Sequence, residues 1–129
     1  MKKKKVFISF DYDNDLDIKG ALVSQAKDPN SPFKIVDMSI KEPITSKWKE
    51  NARSKIKNCD CVIILCGRYT EEAKGVTAEL TIAQEEEIPY YLLCGRKDGN
   101  VQKPLSAKST DIVYKWKWKI IKELLQGKR

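Results

Sequence analysis

Six apolar residues in unbroken succession, Cys61-Val62-Ile63-Ile64-Leu65-Cys66, stopped by Gly67, constrain the fold of this chain more than any other stretch. A strand with one face in water alternates apolar and polar side chains. An unbroken run of strand length instead predicts a central parallel strand covered on both faces by helices. At 129 residues and 14.8 kDa the chain is long enough to bury such a core as one domain, residues 1–129.

The flanking sequence supplies the covering elements in alternating order. Lys4 to Phe10 reads as a first strand, ended by the turn-forming cluster Asp11 to Asp15. Leu16, Ala21, Leu22 and Ala26 recur at helical spacing until Asp28-Pro29-Asn30-Ser31-Pro32 breaks the pattern. Phe33 to Met38 alternates only roughly and reads as strand two, followed by a loop from Ser39 to Pro43. Thr45 or Ser46 can cap a second helix that gathers Trp48, Ala52, Ile56 and Cys59 on one side. Beyond the central strand come a third helix over 75–87, a strand from Pro89 to Cys94 and a polar connection from Gly95 to Ser109. A short strand over 111–114 and a helix over 115–125, with Trp116, Ile120 and Leu124 on its stripe, complete a βα alternation.

The formal charge is +7, from 25 Lys and Arg against 18 Asp and Glu, with much of the excess in Lys2 to Lys5 and in the segment from Lys115 to Arg129. Charge concentrated at the ends argues against a nucleic-acid surface, and none is expected as a partner. The N-terminal lysines run into only five apolar or small residues before Asp11, too few for a signal peptide, and no stretch is long enough to span a bilayer. A cytoplasmic protein without a membrane partner is expected. Cys59, Cys61, Cys66 and Cys94 read as reduced thiols, with Cys59 and Cys61 on one face of a strand and Cys66 on the other. A zinc site is disfavoured by the lack of histidine and of paired short ligand loops.

The absence of histidine also excludes Ser-His-Asp and Cys-His catalysis and His-ligated metals. Gly67, Gly75, Gly95 and Gly99 match neither the dinucleotide fingerprint nor the phosphate loop. A phospho-acceptor receiver needs an Asp at the end of the third strand, where this chain has Cys66-Gly67-Arg68. Acid–base work falls to carboxylates, and the one best placed is Glu79. It is expected in the first turn of the third helix, near the crevice outside the carboxyl ends of the strands. Ser9, Phe10 and Asp11 end strand one, Asp37 and Ser39 end strand two, and Cys66 and Gly67 end strand three, so all are candidates for the same crevice. A solvated first-turn glutamate, favoured by the helix dipole, is the competing reading of Glu79.

Val6-Phe7-Ile8-Ser9-Phe10-Asp11-Tyr12, the strand Val62-Ile63-Ile64-Leu65, and Ala78-Glu79-Leu80 leading into Ile88-Pro89 resemble the TIR-like family known as DUF1863, which includes the TIR subunit of bacterial Thoeris anti-phage systems. The resemblance runs from about residue 4 to residue 95. It implies a flavodoxin-like sandwich whose five-stranded parallel sheet has order 2-1-3-4-5. For active members it implies cleavage of NAD at the nicotinamide glycosidic bond, with NAD as a substrate rather than a resident cofactor. The ADP-ribose product, cyclised or conjugated, then signals to a separately encoded effector.

Glu79 takes the place of the family's catalytic glutamate, but the aromatic residue often found four positions earlier is Gly75 here. Phe10 and Asp11 are expected against the nicotinamide half, under a loop of Ser39 and 41–43. The loop from Ser39 to Thr45 corresponds to the one through which TIR domains assemble, which implies a homo-oligomer on activation. The chemistry suits a chain without histidine, because a carboxylate beside the ribose stabilises an oxocarbenium-like transition state with no base or metal. A non-catalytic TIR-like scaffold and a nucleoside-modifying enzyme related to the deoxyribosyltransferases remain open beside it.

Overall fold

The computed structural model describes residues 3–40 and 43–127. Its five strands, β1 (Lys4–Ser9), β2 (Phe33–Met38), β3 (Cys61–Cys66), β4 (Tyr90–Cys94) and β5 (Val113–Tyr114), form one sheet in the order β2-β1-β3-β4-β5, every neighbouring pair parallel. The helices are α1 (Leu16–Ala26), α2 (Ser46–Lys57), α3 (Lys74–Glu85) and α4 (Trp118–Leu125), with a single 3-10 turn at Thr70–Glu72.

The two faces of the sheet carry separate cores. Cys61, Ile63 and Leu65 of β3 pack with Ile18 and Leu22 of α1 and Ile121, Leu124 and Leu125 of α4. Val62, Ile64 and Cys66 point the other way, against Trp48, Ala52 and Ile56 of α2 and Val76, Leu80 and Ala83 of α3. All six residues of β3 are therefore buried, which is the physical reason for its unbroken apolar run.

The β1–β2 ladder contains one irregularity that matters for the site. Val6 pairs with Ile35 but Phe7 pairs with Asp37, so Val36 is an extra residue on β2. Side chains alternate along a strand, yet Ile35 and Met38 both pack on the α1 side because of this bulge. It turns the residues after it over by one face, which also accounts for the poor alternation of the segment.

Several expectations are corrected. Cys59 lies beyond the C-cap of α2, outside any strand, and packs on the α2–α3 side with Cys66, whereas Cys61 packs on the α1–α4 side. Leu16 is exposed and Ile18 takes its place in the core. The last helix starts at Trp118 rather than 115, since Lys117 is extended at φ −130° and ψ 140°. Trp116 still packs against the core from the connection, its indole Nε1 donating to Gln25 Oε1 at 2.7 Å. Burial pushes the thiols of Cys59, Cys61 and Cys66 up to about 11, 12 and 12, leaving them inert near neutrality. Among the described residues no helix is long and apolar enough to cross a membrane.

Candidate functional site

Helix α3 brings Glu79 into the molecule on the same stripe as Val76, Leu80 and Ala83, the i, i+3, i+4 and i+7 positions that face the sheet. Glu79 is the sixth residue of α3, not a first-turn residue, and only 2% of it is exposed. Ser9 Oγ donates to its Oε1 at 2.7 Å, and Ser39 Oγ donates to the same oxygen at 2.5 Å. Ser39 Oγ in turn accepts the backbone N–H of Phe10 at 3.1 Å, so the hydroxyl hands a polarised hydrogen bond on to the carboxyl. Ser39 reaches the α3 side because of the bulge at Val36, and its own N–H extends the ladder by donating to Ile8 O at 2.9 Å.

No cation lies within ion-pair distance of Glu79 among the described residues. Burial pushes its carboxyl up to about 7; the Ser39 and Ser9 hydroxyls, which favour the anion, oppose that rise only in part. A group poised there holds comparable amounts of acid and carboxylate at neutral pH, a common property of functional carboxyls.

Glu79 lines a cleft of about 330 Å³ at the carboxyl end of the sheet, within the size range of small-molecule sites. The loop after β1 supplies one wall. Asp11 holds that loop as a turn, accepting from Asp13 N–H at Oδ1 and from Asn14 Nδ2 at Oδ2, while Phe10 and Tyr12 stack at 5.6 Å between ring centroids. The segment after β2 adds Ser39, Ile40 and Ile44; residues 41 and 42 of the expected covering loop lie outside the described residues. Thr45 caps α2 by accepting the N–H of Trp48 at 3.1 Å, and Trp48, in the first turn of that helix, also lines the cleft.

Of the residues expected at the crevice, Phe10, Asp11, Ser39 and Glu79 line it, and Ser9, fully buried, lies behind them and reaches the site only through its bond to Glu79. Asp37, Cys66 and Gly67 do not line it. Asp37 faces α2, with Lys55 Nζ 3.7 Å from its Oδ1. The Cys66 side chain is in the core between β3 and α3. Gly67 abuts Asp15, whose Oδ2 would lie 2.2 Å from a Cβ at that position. Asp15 is 1% exposed and accepts at Oδ1 from Arg96 Nη2 at 2.9 Å; Arg96 also reaches Asn14 O and Asp17, and so ties the end of β4 to the loop that forms the cleft.

Trp48 was legible as core but not as cleft wall, since a stripe position at the start of a helix carries both possibilities. Residues 7–94 match the family described as Thoeris protein ThsB, TIR-like domain. The chain belongs to that family. A search of curated proteins finds no match. For this ThsB-type TIR-like domain the family supports a role in anti-phage defence, and the five-stranded sheet order agrees with the fold that the resemblance implied. Every described residue that lines the cleft falls within the matched segment, whereas β5 and α4 lie outside it.

Proposed function

We propose that this ThsB-type TIR-like domain cleaves NAD at the bond between nicotinamide and ribose and passes the ADP-ribosyl group into a cyclic or conjugated signalling product during anti-phage defence. The supporting observation is Glu79, a buried carboxyl with no counter-ion among the described residues, held by two serine hydroxyls and lining a cleft of ligand size. As the glycosidic bond breaks, its electron pair leaves with nicotinamide, which becomes neutral, and positive charge grows on the ribose. The Glu79 carboxylate, fixed through Oε1, stabilises that charge or holds the ribose hydroxyls, and an incoming hydroxyl or amine closes the new bond at the same carbon and releases its proton to solvent.

NAD is then a substrate with no resident cofactor, and the product is a diffusible nucleotide read by a separately encoded effector in the cytoplasm. Activation by self-assembly, with no nucleic-acid or membrane partner, completes the proposal.

A second reading draws on the same hydrogen bonds. The Glu79 carboxyl ties α3 to the ends of β1 and β2, a buried polar tether that a scaffold domain could use without turnover. One experiment separates the two. The protein and its Glu79→Gln variant are incubated with NAD at high protein concentration, with and without lysate of phage-infected cells, and nicotinamide and products are followed by mass spectrometry. Nicotinamide release that depends on Glu79, from a variant that melts as a folded protein, supports the enzyme. Negligible turnover by both in every lysate supports the tether.

A further inference from the structure

A second concavity lies on the α1–α4 side of the sheet, opposite the side that carries Glu79. This groove occupies about 660 Å³ between α1, the end of β4 and the connection into α4, and shares no lining residue with the cleft. Its volume is within the range of small-molecule sites. Gly95 lets α1 come close to the end of β4, since a Cβ there would lie 2.3 Å from Ile18 Cδ1. Ile18, Ala21 and the half-buried Trp116 give the groove its apolar part, and the indole is fixed by the bond from its Nε1 to Gln25 Oε1 at 2.7 Å.

The charges around it are all positive. Arg96, Lys97, Lys115 and Lys117 line the groove, and no acidic residue does among the described ones. Arg96 is already neutralised by Asp15 and Asp17, but Lys97, Lys115 and Lys117 are exposed and have no ion-pair partner among the described residues. Lys117 is also the N-cap of α4, a helix end with no capping side-chain bond and no acid in its first turn. Lys115 and Lys117 thus add to a helix dipole that is already positive there, and a bound anion relieves the repulsion. All four cations lie beyond the segment 7–94 that matches the family, so this groove is a feature of the chain's own C-terminal part.

We infer that this groove is a second ligand site, for a small organic anion built on a flat apolar ring, with the ring against Ile18, Ala21 and Trp116 and its phosphate or carboxylate among the three lysines. The ring gains by leaving water and the anion gains from the cationic rim, so a ligand with both is favoured over either part alone. The site goes beyond NAD cleavage and stands whether or not that reaction occurs.

The test titrates the full-length chain by isothermal calorimetry at low salt with 1-naphthyl phosphate, 1-naphthoate, neutral 1-naphthol and inorganic phosphate. Both ring-bearing anions are expected to saturate one site per chain, at least about tenfold tighter than naphthol or inorganic phosphate. Added salt weakens them, because exposed lysines are screened. Lys115→Glu combined with Lys117→Glu changes only exposed side chains and is expected to cost at least about tenfold in affinity without lowering the melting temperature, since acids suit that helix end. Ala21→Phe, at an exposed position of α1, fills part of the groove and is expected to weaken binding to a similar extent. Cys94 lines the groove and is the one thiol of the four that is not buried, so 1-naphthyl phosphate is expected to slow its alkylation by iodoacetamide, read by mass spectrometry.

Naphthol or inorganic phosphate binding as tightly as 1-naphthyl phosphate overturns the inference, as does a lack of saturation by the ring-bearing anions. Binding that survives both sets of substitutions, or that leaves Cys94 alkylation unchanged, puts the anion elsewhere on the molecule and overturns it too.

Discussion

The Ser39 hydroxyl donates to Oε1 of Glu79 across 2.5 Å, although 40 residues separate the two in the chain. Together with Ser9 it makes the carboxyl both a structural tie and a titrating group. The consequences for stability and for rate differ in sign, which makes them separable.

For stability, the folded-state value of about 7 lies above the ordinary 4.5, so the contribution of Glu79 is fully present below pH 4.5 and is lost as pH rises through 7. That gap corresponds to about 3 kcal/mol. Glu79→Gln, neutral at every pH, is therefore expected to match the parent near pH 4 and to exceed it by up to about 3 kcal/mol at pH 8. Urea unfolding of both proteins at the two pH values checks this. Equal stability at pH 8 would mean that the carboxyl ionises at its ordinary value.

Activity runs the other way. If the carboxylate stabilises the oxocarbenium-like state, kcat/KM for NAD rises through pH 7 to a plateau, and Glu79→Gln lowers it about a hundred- to a thousandfold. Ser39→Ala removes a hydrogen bond that favours the anion, so its pH–rate profile moves to higher pH. The same variant is expected to cost about 1–2 kcal/mol in unfolding free energy. A pH profile identical to that of the parent would contradict the proposed role of the Ser39 bond.

Two glycine-to-alanine substitutions are expected to have opposite effects. At Gly67 the new Cβ would lie 2.2 Å from the buried Asp15 carboxylate and must displace it, costing about 1–3 kcal/mol. At Gly75 the Cβ meets only an indole carbon at 4.0 Å, within a helix that alanine favours, so stability rises by about 0.5 kcal/mol. Thermal melts of the two variants side by side decide the matter.

Arg96→Gln is expected to destabilise the fold by about 3 kcal/mol, because Asp15 loses its charged partner while still buried. Asp15 is already raised by burial and lowered chiefly by its bond to Arg96, so without that bond it moves higher still. Hydrogen exchange should show the loss as faster exchange across residues 11–15, of which 11–14 line the cleft.

Much of this was legible from residue order. The unbroken apolar run of β3 could be satisfied only by burial on both faces, and the alternation of strands and helices around it left a parallel sheet with helical layers. Glu79 was legible as the candidate carboxyl, and its place on the Val76, Leu80 and Ala83 stripe was a signal for burial that its position in the helix obscured.

What only the tertiary structure decided is which groups meet Glu79. One extra residue at Val36 turns Ser39 toward α3, whereas regular alternation from Ile35 would have turned it toward α1. Cys66 and Gly67 end a strand on the ligand side, yet one is held in the core and the other against Asp15. Trp48 borders the cleft because α2, begun at the Thr45 cap, packs against α3 close to Gly75. Sequence periodicity reports the face on which a residue lies within its own element. Register between strands and close approach between helices depend on atoms far apart in the chain, and those decided the site.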